Sequence, residues 1–75
     1  MTEKINIRTE FIKLSQLLKF SNMAESGAMA NDMIFDGIVL VNGEVCLQRG
    51  KKIRPGDTVD IEFDDETATL IIGQE

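Results

Sequence analysis

The segment SGAMANDMIFDGIVLVNGEVCLQRGKKIRPGD, residues 26–57, decides how this chain folds. A helix is expected to start at Ser26, because Ala30, Met33, Ile34 and Gly37 follow at i, i+3, i+4 and i+7 along one face. Gly37 suits the end of that helix, where the left-handed conformation costs glycine nothing. Met29 and Met33 are expected in or near the core. Ile38–Val41 and Glu44–Leu47 then read as two strands joined at Asn42-Gly43, a dipeptide that favours the positive φ of a tight hairpin. Arg49-Gly50-Lys51-Lys52-Ile53-Arg54 follows as a basic loop, and Pro55-Gly56-Asp57 as a second turn.

Working outward, Thr58–Phe63 alternates with Val59, Ile61 and Phe63 expected inward. Asp64-Asp65-Glu66 is a polar turn, and Thr67–Ile72 a last strand paired with the one before it. Towards the N-terminus, Leu14, Leu17 and Leu18 share a helix face, with Ser15 as a candidate N-cap and Lys19 near the C-terminal, negative end of the helix dipole. Lys4–Phe11 alternates loosely and reads as a short first strand. The order is one strand, two helices, then four strands: an α+β arrangement of two helices on a small, mostly antiparallel sheet. The 75 residues are expected to form one domain, 1–75, with a thin core.

Composition narrows function mainly by exclusion. The chain has no histidine, tryptophan or tyrosine and a single cysteine, Cys46. Histidine-based triads, Cys/His zinc sites and an intrachain disulfide are therefore excluded. Cys46, between Val45 and Leu47, is expected as a buried structural thiol. The glycines follow no dinucleotide or phosphate-loop spacing, and Asp64-Asp65-Glu66 lacks the spacing of a calcium loop. No enzymatic constellation is found, and no cofactor is called for. No apolar run is long enough to span a membrane, and Met1-Thr2-Glu3-Lys4 lacks a signal-peptide pattern. A cytoplasmic protein is expected.

The charges are unevenly placed. The net charge is −5, yet residues 49–54 hold four of the eight cations. A local positive cluster on a negative body is a focused anion site; equally, a charged loop can be a solvated one that offsets the acidic strand beyond it. Six of the thirteen acids (Asp57, Asp60, Glu62, Asp64, Asp65 and Glu66) follow it, and that face should repel nucleic acid. Of the phenylalanines, Phe11, Phe20, Phe35 and Phe63, none sits inside the basic run, so stacking on bases is not expected. Phe63 is expected to pack in the core, and Phe20 and Phe35 to be partly exposed.

Lys13-Leu14-Ser15-x-x-Leu18, then Ser26, Ala30, Ile34 and Gly37, then Val39-x-Val41-Asn42-Gly43 and Pro55-Gly56-Asp57-x-Val59, together resemble the RNA-binding domain named after ribosomal small-subunit protein S-four. The match runs from Lys13 to Ile61. The resemblance implies a helix pair on a small bent sheet, the αL RNA-binding motif, that binds structured RNA through the helices and adjacent loops. It puts Lys13 at the place of the family's first arginine, and Arg49, Lys51, Lys52 and Arg54 in the basic segment before Gly-Asp. Lys19 lies on the first helix beside them. The chain departs from the family at Gly27, where arginine is usual, and at Asn31 and Asp32, where cations are common. Glu25-Ser26-Gly27 is similar to small stand-alone, ribosome-associated members. The implied partner is structured RNA, ribosomal or transfer RNA, on the ribosome or an assembly particle and away from membranes. The competing reading is a protein-interaction adaptor that keeps the fold without binding RNA.

Overall fold

A computed structural model describes residues 1–75. In chain order its elements are β1 (Thr2–Ile7), β2 (Ile12–Lys13), α1 (Leu14–Phe20), α2 (Gly27–Phe35), β3 (Val39–Val41), β4 (Glu44–Val45), β5 (Lys52–Ile53), β6 (Thr58–Glu62) and β7 (Thr67–Gln74). Five strands form one sheet in the order β1-β7-β6-β3-β4, and β2 pairs with β5 as a separate two-stranded ribbon. All pairings are antiparallel except β1 on β7. The architecture is the expected α+β one, two helices with a mostly antiparallel sheet. No helix is long and apolar enough to cross a membrane.

The periodicities account for the core. Leu14, Leu17 and Leu18 of α1 and Ala30, Met33 and Ile34 of α2 are buried, and they meet Val39, Val41, Val59, Ile61, Ala68, Leu70 and Ile72 from the sheet in one cluster. Ser26 is the N-cap of α2, where its hydroxyl accepts a hydrogen bond from the Met29 amide at 3.1 Å. Asn42 and Gly43 both take positive φ, 51° and 86°, as the tight hairpin between β3 and β4 requires. Gly56 does the same at 97° in the second turn.

Several expectations need correction. The first strand covers Thr2–Ile7 and stops there; the chain bends through Arg8–Glu10 and re-forms as β2. Ser15 does not cap α1. It lies inside the helix, and the N-cap position is Lys13, whose side chain makes no capping bond. The orphan amides of Leu14 and Ser15 instead donate to the carbonyls of Lys51 and Arg49, at 2.9 and 3.1 Å, so a distant loop does the work of a capping side chain. Strand β4 covers only Glu44–Val45, although the Cys46 amide still donates to the Val39 carbonyl at 2.9 Å, and Val45 and Leu47 are exposed. Cys46 is half-buried against the core rather than fully enclosed.

Met29 is exposed: it lies in the first turn of α2, one turn before the buried Met33 on the same side. Phe63 is exposed as well: β6 stops at Glu62, and the Phe63 amide turns to bond the Glu66 carbonyl. Asn31 is half-buried and not on the outer face of α2; its Oδ1 is enclosed without a partner.

Candidate nucleic-acid interface

The basic run is not a free loop. Lys52 and Ile53 form β5, which pairs antiparallel with β2 so that Ile12 faces Ile53 and Lys13 faces Lys52. Phe-Ile-Lys at 11–13 and Lys-Ile-Arg at 52–54 are thus two matched three-residue segments. Each turns its central isoleucine to the protein, and Ile53 is completely buried. The flanking residues are left on the outer side, as strand alternation demands.

This arrangement brings most of the expected cations together. Lys13 and Lys52 are opposite each other across the ribbon. The carbonyls of Arg49 and Lys51 are tied to the first turn of α1, which fixes the loop against the helix start. Lys51 lines a shallow groove beside β3 and β4, next to Asn42 and Cys46. Lys19 is apart from the others, in the last turn of α1. All six side chains are exposed.

Phe11 is the residue that reading the sequence missed. The ammonium of Lys52 lies 4.9 Å from the centroid of its ring, and the guanidinium of Arg54 lies 5.7 Å from it. Both fall within the range in which a cation is attracted to an aromatic face. The signal was the alternation of Phe11-Ile12-Lys13, which mirrors Lys52-Ile53-Arg54 but only becomes meaningful once the two segments pair.

A second device sets the end of the ribbon. Asn42 Nδ2 donates to Asp57 Oδ1 at 3.1 Å, and the Thr58 amide donates to Asn42 Oδ1 at 2.9 Å. The other Asp57 oxygen accepts the Arg54 amide at 2.8 Å. The Asn-Gly and Gly-Asp landmarks are therefore the two halves of one clamp, and Arg54 hangs from it. Asp57, the acid nearest the 49–54 run in sequence, is occupied by backbone and amide donors.

None of the six cations is ion-paired; the one salt bridge in the molecule joins Arg8 to Glu75. The acidic turn at Asp64–Glu66 is separated from the Pro55–Asp57 turn by the whole of β6. Five residues at about 3.3 Å each span roughly 16 Å, well beyond the ~8 Å over which exposed charges interact at physiological salt. Repulsion from that turn does not cancel the cluster.

The ring also does something a carboxylate could not: it restrains two cations without neutralising them. Phe11→Leu keeps the apolar bulk and removes the π-face. At about 0.5–1 kcal/mol for an exposed cation–π contact, it should weaken binding of a polyanion to this face by roughly two- to five-fold. Phe11→Tyr should bind like the parent. Titration of the three proteins against one nucleic-acid fragment checks this, with thermal melts to confirm that all three are folded.

Two helices with a mostly antiparallel sheet, and a cationic ribbon tied to the start of α1, define a small α+β domain with a positive face. The S4 domain model matches residues 5–71, and the chain belongs to the S4 domain family. It is 44% identical over 62 residues to the probable ribosome maturation protein RlbA of Bacillus subtilis, covering 83% of this chain and 87% of that one. Among solved structures it is similar to YbcJ from E. coli, described as revealing an αL motif involved in RNA binding. That match has 31% identity and a TM-score of 0.57, over 93% of this chain and 85% of that one. It also shares its fold with heat shock protein 15 of Vibrio cholerae, solved as a trimer. The TM-score there is 0.76 at 21% identity, over 88% of this chain and 66% of that chain.

Proposed function

We propose that the chain is a small RNA-binding module that recognises structured RNA, ribosomal or transfer RNA, by its shape and phosphates. Arg49, Lys51, Lys52 and Arg54 contact phosphates, with Lys13 and Lys19 beside them. The observation that carries this reading is the cationic β2–β5 ribbon: its charges are gathered by the fold, held over Phe11 and left without carboxylate partners. Membership of the S4 domain family supports RNA as the anion, and the name of the Bacillus subtilis relative supports a ribosomal particle as the place of action. The module works as a single domain in the cytoplasm, and contacts to backbone and 2′-hydroxyls dominate, as is usual for paired RNA.

One observation favours a second reading, the protein adaptor. Helix α2 carries no cation in its nine residues, and Gly27 and Asp32 stand where the family commonly has basic side chains. The two readings separate in a pull-down from cell extract with and without ribonuclease. RNA binding predicts that ribosomal or transfer RNA is recovered and that accompanying proteins are lost after nuclease. Partners that survive nuclease, with no RNA enriched, would replace this reading with the adaptor.

A further inference from the structure

Phe20 is the most exposed large apolar side chain in the molecule, at 61%. It closes α1, and two shallow grooves meet on it. One runs past Gln16 and Lys19, the other past Thr9 and the Arg8–Glu75 ion pair, and Ile12 lines both. Phe20 and Ile12 thus form an apolar wall with Gln16 and the unpaired Lys19 on one side and the Arg8–Glu75 pair on the other. Ile12 belongs to the ribbon, where it pairs with Ile53, so the groove adjoins the ribbon on its isoleucine side, next to the outer side that carries Phe11 and Lys13. An accessible ring beside cations is the arrangement on which unpaired bases stack. Gln16 adds an amide that can both donate to and accept from a base edge.

We infer that this groove is a nucleobase site. It takes one unpaired base, extruded from a structured RNA, onto the face of Phe20, while phosphates beside that base lie on the Lys13, Lys52 and Arg54 side. The inference rests on the RNA-binding reading and adds the class of RNA: a helix carrying a bulged or looped-out nucleotide, not a continuous duplex. A paired base cannot reach the ring, because its faces are covered by its neighbours in the stack. Phe11 does not compete for this role, since its ring carries the two cations. Charge decides between occupants: Glu75 is taken up by Arg8, which leaves Lys19 as the unpaired charge on the rim, and a cation there suits a polyanion better than an apolar peptide.

The test uses two RNA hairpins with the same stem, one fully paired and one with a single bulged 2-aminopurine. The parent protein should prefer the bulged hairpin by at least about five-fold, the lower end of what base–aromatic stacking contributes, and should change the probe's fluorescence on binding. Phe20→Leu should abolish the preference and the fluorescence change while binding the paired hairpin within about two-fold of the parent; Phe20→Trp should keep both.

A preference that survives Phe20→Leu, or is absent from the parent, overturns the nucleobase site. The phosphate reading then still stands if both hairpins bind in a salt-dependent way that Lys52→Gln/Arg54→Gln removes. If neither hairpin binds, both readings fall. If Phe20→Leu instead converts a self-associating protein into a monomer with hairpin selectivity unchanged, the ring covers a second copy and the inference is wrong.

Discussion

Lys52→Gln/Arg54→Gln is expected to weaken binding to structured RNA at every sequence and to flatten its salt dependence. Both cations lie over Phe11 and neither is ion-paired, so their removal leaves no carboxylate stranded and should not unfold the domain. Each phosphate contact contributes roughly 0.7–0.9 to the slope of log affinity against log salt. Losing two changes the slope by about 1.6. Between 50 and 200 mM salt, the gap between parent and variant should therefore shrink by roughly ten-fold. Net charge alone predicts something different. The double variant goes from −5 to −7, and Lys4→Gln on the edge strand β1 goes from −5 to −6. If long-range charge governed binding, Lys4→Gln would show about half of the effect. If the ribbon governs it, Lys4→Gln should bind within about two-fold of the parent, because exposed charges act over about a Debye length. Equal slopes for parent and double variant, measured by filter binding on a ribosomal RNA fragment, would refute the phosphate role.

The elements that could be read from the sequence are those whose signal is local. Leu14, Leu17 and Leu18 fall on one face by spacing alone, and Ser26, Gly37 and Asn42-Gly43 carry their own backbone preferences. What stayed hidden depends on partners far along the chain. Lys52-Ile53 shows no period of its own and becomes a strand only against Ile12-Lys13, some forty residues earlier. The missing cap of α1 has the same origin: Ser15 had the right chemistry, but the amides that needed a partner were met by carbonyls from 49 and 51. Phe63 was misplaced because alternation was carried one residue past the end of β6.

The site was legible as a list of cations and illegible as a surface. Five of the six named cations lie along segments that the fold draws together, while Lys19 stands at the far end of α1. Phe20 was expected to be partly exposed, and it is, but the place of Phe11 beneath Lys52 and Arg54 could not be read, because Phe11 does not neighbour the basic run in sequence. The Asn42–Asp57 clamp explains why the Asn-Gly and Gly-Asp landmarks were so readable although neither carries a positive charge. They are structural, and they hold the chain on either side of the residues proposed to contact RNA.

That division makes Ile53 the position where stability and binding meet. It is fully buried, lies between the two cations that cover Phe11, and is the β5 side chain that joins the core. Ile53→Ala removes three carbons and leaves a cavity, at a cost of about 2–5 kcal/mol. For 75 residues at roughly 0.05–0.15 kcal/mol each, the whole domain is worth only about 4–11 kcal/mol, so the substitution removes a large share of the total. With about 4–8 °C lost per kcal/mol in a domain of this size, the melting temperature should fall by at least about 8 °C. Ile53→Val should cost about 0.5–1.5 kcal/mol and leave the protein folded. Its salt slope should match the parent's, because every cation is still present, whereas Lys52→Gln/Arg54→Gln should show the converse: near-parental melting with a flattened slope. A melt of Ile53→Ala within about 2 °C of the parent would mean that β5 is not anchored through this side chain, and the ribbon would lose its claim to be a preformed surface.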